Sequence, residues 1–166
     1  REQDLSRLET EAKTLARILD VAAGTLWPPI VERVFVAPGL EAALAAALGD
    51  DLEVATDEGA PVHWRDPGPG TADPELPPGV EPLATHVRAP ALLSRRLAQI
   101  GLVERRDGPS LRLALGPGQR LVSREGDLWR WDGLTAAAAA PTAGARRLAA
   151  RNRLAELEGA IARARD

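Results

Sequence analysis

The side chains able to do chemistry in this chain are few, and their spacing excludes most reactions. His63 and His86 are its two histidines, they share neither an H-x-x-x-H nor an H-E-x-x-H spacing, and there is no cysteine. A metal ion would need carboxylates gathered from separate loops. Asp50 and Asp51 are neighbouring carboxylates, but they follow Gly49, a natural helix stop, and read as a solvated turn. The glycines of Asp66-Pro67-Gly68-Pro69-Gly70 are not followed by the lysine that completes a phosphate-binding loop. These patterns lead to no catalytic residue, no metal site and no cofactor, and both histidines are expected to be structural.

Two sets of residues could bind rather than react. Trp129 and Trp131 alternate along one segment, so in a strand they face the same side while Arg130 faces the other. They suit either an aromatic platform for nucleic-acid bases or packing in a core or subunit interface. Arg95, Arg96, Arg105 and Arg106 fall in one stretch, and Arg146, Arg147, Arg151 and Arg153 in another. If they converge they can hold phosphates without regard to sequence, with affinity falling as salt rises. The alternative is a solvated helix face whose field is diluted by Asp107, Glu156 and Glu158.

The whole chain limits what can position these groups. Its 166 residues suffice for one domain or two small subdomains; 45% are hydrophobic but only 3% aromatic, which calls for an aliphatic, helix-rich core. A net charge of -3 excludes a uniformly basic nucleic-acid coat. The lack of cysteine suits a reducing cytoplasm, and neither an apolar run long enough to cross a bilayer nor a signal peptide is present, so no membrane partner is expected. The chain begins without Met and in mid-helix pattern, which suggests a piece of a longer protein.

Leu5, Leu8, Ala12, Leu15, Leu19 and Ala22 repeat every three or four residues, and Leu154, Leu157, Ile161 and Ala164 do the same at the other end. Alone, each stripe fits an ordinary amphipathic helix as well as a coiled-coil seam. Helices this short need a packing partner, so the economical arrangement pairs the two ends antiparallel, with the intervening residues inserted at the tip. Gly24 to Pro29 should break the first helix. A strand is expected at Val31 and Val34 to Val36, a helix at Leu40 to Leu48 closed by Gly49, and a strand at Leu52 to Ala55. Residues 66–82 are dense in proline and glycine and should form a surface loop. A helix is expected from Pro90 to about Ile100, ended by Gly101, then a strand at Leu102 and Val103 and a short helix or strand at Leu111 to Leu115. Arg120 to Ser123 and Leu128 to Trp131 should form a hairpin. Leu44, Leu48 and Gly49 recur as Leu111, Leu115 and Gly116, a weak echo between two halves.

Three stretches resemble the hinge domain of SMC chromosome-partition proteins, in its alphaproteobacterial form: VFVAPGLEAALAAALGDDLEVATD (34 to 57), AQIGLVERRDGPSLRLALGPGQRLVSREGDLWRWDGL (98 to 134) and RLAARNRLAELE (147 to 158). The resemblance implies an α/β (α+β) globule of two subdomains at the tip of an antiparallel coiled coil. Its divisions would be 1–23 for the outgoing arm, 24–84 for subdomain I with the loop 66–82, 85–142 for subdomain II and 143–166 for the returning arm. It implies a homodimer in which a strand edge of one protomer's second half meets the first half of the other, with Arg120, Leu121, Val122, Ser123, Gly126, Asp127, Leu128, Trp129, Trp131 and Gly133 as interface candidates. Many hinges continue with paired glycines; here Gly133 is followed by Leu134, Thr135 and the run Ala136 to Ala140. The implied role is a non-enzymatic dimerisation hinge in chromosome condensation and segregation, cytoplasmic and nucleoid-associated, with a weak nonspecific DNA surface where the arms join. ATPase activity and kleisin-type partners would belong to other parts of the full-length protein. The rival reading is a protein-binding domain inserted in another coiled-coil protein, without self-association.

Overall fold

The computed structural model describes residues 2–23, 26–138 and 143–165. Its first element, α1 (Glu2–Ala23), is a continuous helix because apolar residues recur at helical spacing and no proline interrupts them. The expected break at Gly24 and Thr25 lies outside the described residues. A 3-10 turn at Ile30–Arg33 takes up Val31, and only Phe35–Val36 form the short strand β1. α2 (Glu41–Leu48) ends where Gly49 adopts a φ of 53° and its N–H returns to the Ala45 carbonyl, the stop that the sequence indicates. Leu52 to Ala55 do not form the expected strand. Gly49–Glu53 is a 3-10 turn, and Ala55 makes only isolated bridges to Pro29 and His63. The turn spends its carbonyls on tertiary partners instead: Trp64 Nε1 donates to Asp51 O at 3.1 Å, and Ile30 N to Val54 O at 2.8 Å.

The loop 66–82 contains no helix, and its last residues, Glu81–Pro82, form β2 at a sheet edge, where a missing N–H breaks no ladder. β3 (Val87–Arg88) pairs antiparallel with β1. The helix expected from Pro90 to Ile100 is shorter: a 3-10 turn at Ala91–Leu93 leads into α3 (Ser94–Leu97). Ile100 and Gly101 belong to β4 (Ile100–Val103). Gly101 is therefore no helix stop; a Cβ there would lie 2.3 Å from Val80 and 2.7 Å from Leu121, so glycine allows the close packing. α4 (Gly108–Leu111) and a 3-10 turn at Arg112–Ala114 realise the helical alternative for this segment. The hairpin β5 (Arg120–Ser123) and β6 (Leu128–Arg130) forms as expected, followed by β7 (Thr135–Ala136) and the long α5 (Ala143–Arg165).

The larger sheet has the order β2-β4-β5-β6-β7, with β4 and β5 parallel and joined through α4. One continuous core combines Ile30, Val36, Leu44 and Leu48 with Leu93, Ile100 and Val122, and Leu148 of α5 enters the same core. α1 and α5 run antiparallel, Glu9 meeting Arg165 and Glu11 meeting Arg153. Along their contact Ala12 and Leu157 are buried, and Leu5, Leu8, Leu15, Leu19, Leu154, Ile161 and Ala164 half-buried, so the two stripes form one seam. No helix among the described residues is long and apolar enough to cross a membrane.

Candidate functional site

The β5–β6 hairpin is held by its own turn chemistry. Gly126 supplies a φ of 103° that other residues rarely adopt. Ser123 Oγ donates to Asp127 Oδ2 at 2.5 Å and accepts the Asp127 N–H at 2.9 Å. Arg105 Nε donates to the same carboxylate at 2.7 Å, and the Ala138 N–H to its other oxygen at 2.8 Å. Burial opposes the charge on Asp127, but these donors outweigh it and hold the carboxyl down at about 2.

That last bond changes where the open edge lies. By binding Ala138, Asp127 folds the chain back so that β7 pairs with β6, in the register Leu128 to Ala136 and Trp129 to Thr135. β5 and β6 thus have neighbours on both sides, and the expectation that they form the exposed edge is corrected: among the described residues the edge beyond the hairpin is β7. Leu121, Val122, Ser123, Asp127 and Trp129 are buried within the protomer, so they support that edge from behind. Trp131 and Leu134 flank it with 48% and 45% of their surface exposed. Gly133, with a φ of 93°, makes the reversal between β6 and β7. Ala136 lies in β7 and is exposed, whereas Ala139 and Ala140 are outside the described residues. The sequence reading missed β7; Thr135, a β-branched residue just after an Asp-Gly turn, was the available signal.

The tryptophans part company because β6 ends at Arg130. Trp129 packs its ring on Gly108, where a Cβ would come within 2.4 Å of it, while Trp131 lies beyond the strand in the turn. Trp64 packs against the core, whereas Trp27 is 37% exposed. The histidines find structural partners, His63 Nδ1 with Ala60 O at 2.8 Å and His86 Nε2 with Glu81 at 2.7 Å.

Most of the candidate phosphate-binding arginines are engaged within the chain. Arg95 grips Asp73 through Nε and Nη2 at 2.6 and 2.7 Å, across a cleft beneath the proline-glycine loop. Arg96 reaches Asp51 at 2.9 Å and Arg147 reaches Glu53 at 2.9 Å, so both converge on the Gly49–Glu53 turn. Arg153 binds Glu11 and Glu156, and Arg105 binds Asp127. Arg151 donates to the Val31 carbonyl and stacks on Phe35, 4.6 Å from the ring centroid, with Arg88 also stacked on that ring at 4.8 Å. Arg106 and Arg146 are exposed. Arg147 and Arg151 thus graft α5 onto the globule, while Arg153 and Arg165 tie it to α1. Asn152, which the sequence did not single out, completes the graft by donating to Val36 O and to Glu41, each at 2.9 Å.

Sequence and structure comparisons place this arrangement among known proteins, although no protein-family model matches the chain. It is 53% identical over 164 residues to the chromosome partition protein Smc of Rhodopseudomonas palustris, a match covering 99% of this chain and 14% of the relative. It is 51% identical over 150 residues to Smc of Cereibacter sphaeroides, covering 87% of this chain and 13% of that protein. The chain thus spans only a small part of the relatives it matches. Among solved structures it is similar to the SMC hinge domain of Geobacillus stearothermophilus, described as an asymmetric dimer, with a TM-score of 0.62 at 17% identity, covering 98% of this chain and 86% of the other. Identity above 50% along nearly its whole length shows that the chain belongs to the Smc family of chromosome partition proteins, and its fold is similar to that of a solved SMC hinge domain.

Proposed function

We propose that two copies of this chain join through the outer edge of β7 to make the homodimeric hinge of an Smc protein acting in chromosome condensation and segregation. The observation that carries the reading is the open edge at Thr135–Ala136, flanked by exposed Trp131 and Leu134. Unpaired backbone groups between apolar side chains are a ready template for a further strand. The Geobacillus hinge, described as a dimer, adds support from a related fold. In this reading residues 1–23 and 143–166 are arms, 24–84 and 85–142 are the two subdomains, and the interface centres on Trp131, Gly133 and β7. Leu128 and the buried hairpin residues hold that edge in shape. Equilibrium sedimentation at micromolar concentration should give a dimer; a monomer would favour the rival, an inserted protein-binding domain without self-association.

A weak DNA contact at the arm junction belongs to the same proposal, supported by the exposure of Arg146 in the first turn of α5, with Arg106, exposed beside α4, as a second basic position. Reversing both to Glu should lower retention of a short duplex and flatten its salt dependence, because each phosphate left unneutralised keeps about one counterion that binding would otherwise release. Unchanged retention rejects the surface. Arg147 and Arg151 are poor choices for this test, since their removal would also loosen the arm. ATP hydrolysis, kleisin-type partners and nucleoid association are assigned to the full-length protein.

A further inference from the structure

A row of residues crosses the larger sheet on the face that α2 covers. Ile100 stands opposite Arg120, Arg120 opposite Arg130, and the Arg130 N–H bonds to Leu134 O at 2.9 Å. Directly opposite residues point to the same side, so two guanidinium groups lie side by side, an arrangement that sheets disfavour. Arg96 of α3 is the third member: burial first, then the charges of Arg96 and Arg130, push the Arg120 guanidinium below its ordinary range.

Two carboxylates answer these three cations. Asp51 is held by Arg96 at 2.9 Å, and Asp132 is bound by Arg130 through two nitrogens. Among the described residues Arg120 donates to the Ala47 carbonyl alone, at 2.9 Å, near the carboxy-terminal end of α2. The Nε atoms of Arg96 and Arg120 are buried with no hydrogen-bond partner, a state that folded proteins ordinarily avoid. The cluster is short of one carboxylate for its three cations, and the row it occupies runs out at Leu134, beside β7.

We infer that Arg96, Arg120 and Arg130 form an acceptor site for a carboxylate carried by a second copy of this chain. The inference rests on the β7 dimer reading and names what that dimer must supply. A strand added beyond β7 continues the row, and its residue beside Leu134 is directed along the same face toward the arginines. A single side chain suits these groups better than a nucleic-acid backbone, because the Arg96 and Arg130 side chains are only 28% and 32% exposed. The chain is itself an acidic partner, with 24 Asp and Glu against 21 Lys and Arg.

The test compares the wild-type chain with Arg120→Gln and Arg120→Lys by equilibrium sedimentation across a salt series, with circular dichroism to check the fold. The wild-type dimer should weaken as salt rises. Arg120→Gln should weaken it roughly tenfold at low salt and flatten that dependence, while Arg120→Lys retains most of both. A Gln variant with unchanged affinity and salt slope overturns the acceptor site and leaves the hinge reading intact; a monomeric wild type overturns the hinge reading itself. A Gln variant that dimerises normally but loses retention of a short duplex overturns the inference in favour of phosphate. Arg120→Glu mixed with single Arg substitutions at exposed carboxylates such as Asp50, Asp57 and Glu104 then seeks the donor. Restored heterodimer with one such exposed-carboxylate variant is expected, and failure of them all overturns the carboxylate assignment.

Discussion

At Asp127 burial alone would favour the neutral acid, yet Ser123, Arg105 and the Ala138 N–H hold its carboxyl at about 2, below the ordinary 3.8. A carboxyl lowered on folding contributes stability that is present above its unfolded value and disappears as pH falls through the folded one. A shift of this size corresponds to about 2 kcal/mol. Asp127→Asn should therefore lower the unfolding free energy in urea by about 2 kcal/mol at neutral pH, and remove a fall in stability between about pH 4 and pH 2. A variant with wild-type stability at both ends of that range would show that the hairpin does not depend on the charge. Sequence alone marked a hairpin turn between the Arg120 to Ser123 and Leu128 to Trp131 strands, since the turn residues are local. It could not supply Arg105 or Ala138, which arrive from separate segments.

Among the secondary elements, α5 and α1 are not equivalent. α5 sends Leu148 into the core and binds β1 and α2 through Arg151 and Asn152, whereas α1 packs chiefly on α5. Burying a leucine contributes roughly 1.5–3 kcal/mol, and each hydrogen bond removed from a buried carbonyl costs a further 1 kcal/mol or so. Deleting residues 1–23 should leave the globule folded with near-native circular dichroism and a modestly lower Tm. Ending the chain before Ala145 should abolish cooperative unfolding, and a cooperative transition in that truncation would refute the graft. The heptad spacing announced the pairing of the helices, but it was blind to the asymmetry, which depends on where the first turns of α5 dock.

For the whole molecule, the question is what completes the sheet. Leu134 spends its carbonyl on Arg130, so the alternation of a strand turns the N–H and C=O of Thr135 outward. Thr135→Pro removes that outward donor and should shift sedimentation toward monomer while leaving the protomer's thermal transition nearly in place, because every bond inside the sheet is kept. A Thr135→Pro chain that dimerises like the wild type would mean that copies meet elsewhere. The two basic stretches, which the sequence left open to converge on phosphates or to form a solvated face, are divided in the folded chain among Asp51, Glu53, Asp73, Asp127, Glu11 and a stacked Phe35, so only a modest field is left for an anionic partner.

Local rules by themselves determined the paired helical ends, the stop at Gly49, the proline-glycine loop and the β5–β6 hairpin, because each depends on spacing or backbone preference within a few residues. Only the tertiary structure decided that Ile100 joins a strand, that Leu52 sits in a turn and that β7 carries the open edge. Those outcomes turn on partners far along the chain: Arg120 for Ile100, Trp64 and Ile30 for the turn, and Asp127 for Ala138. Hydrogen-bond groups go wherever the core brings a complement to them, and no short-range pattern encodes that meeting.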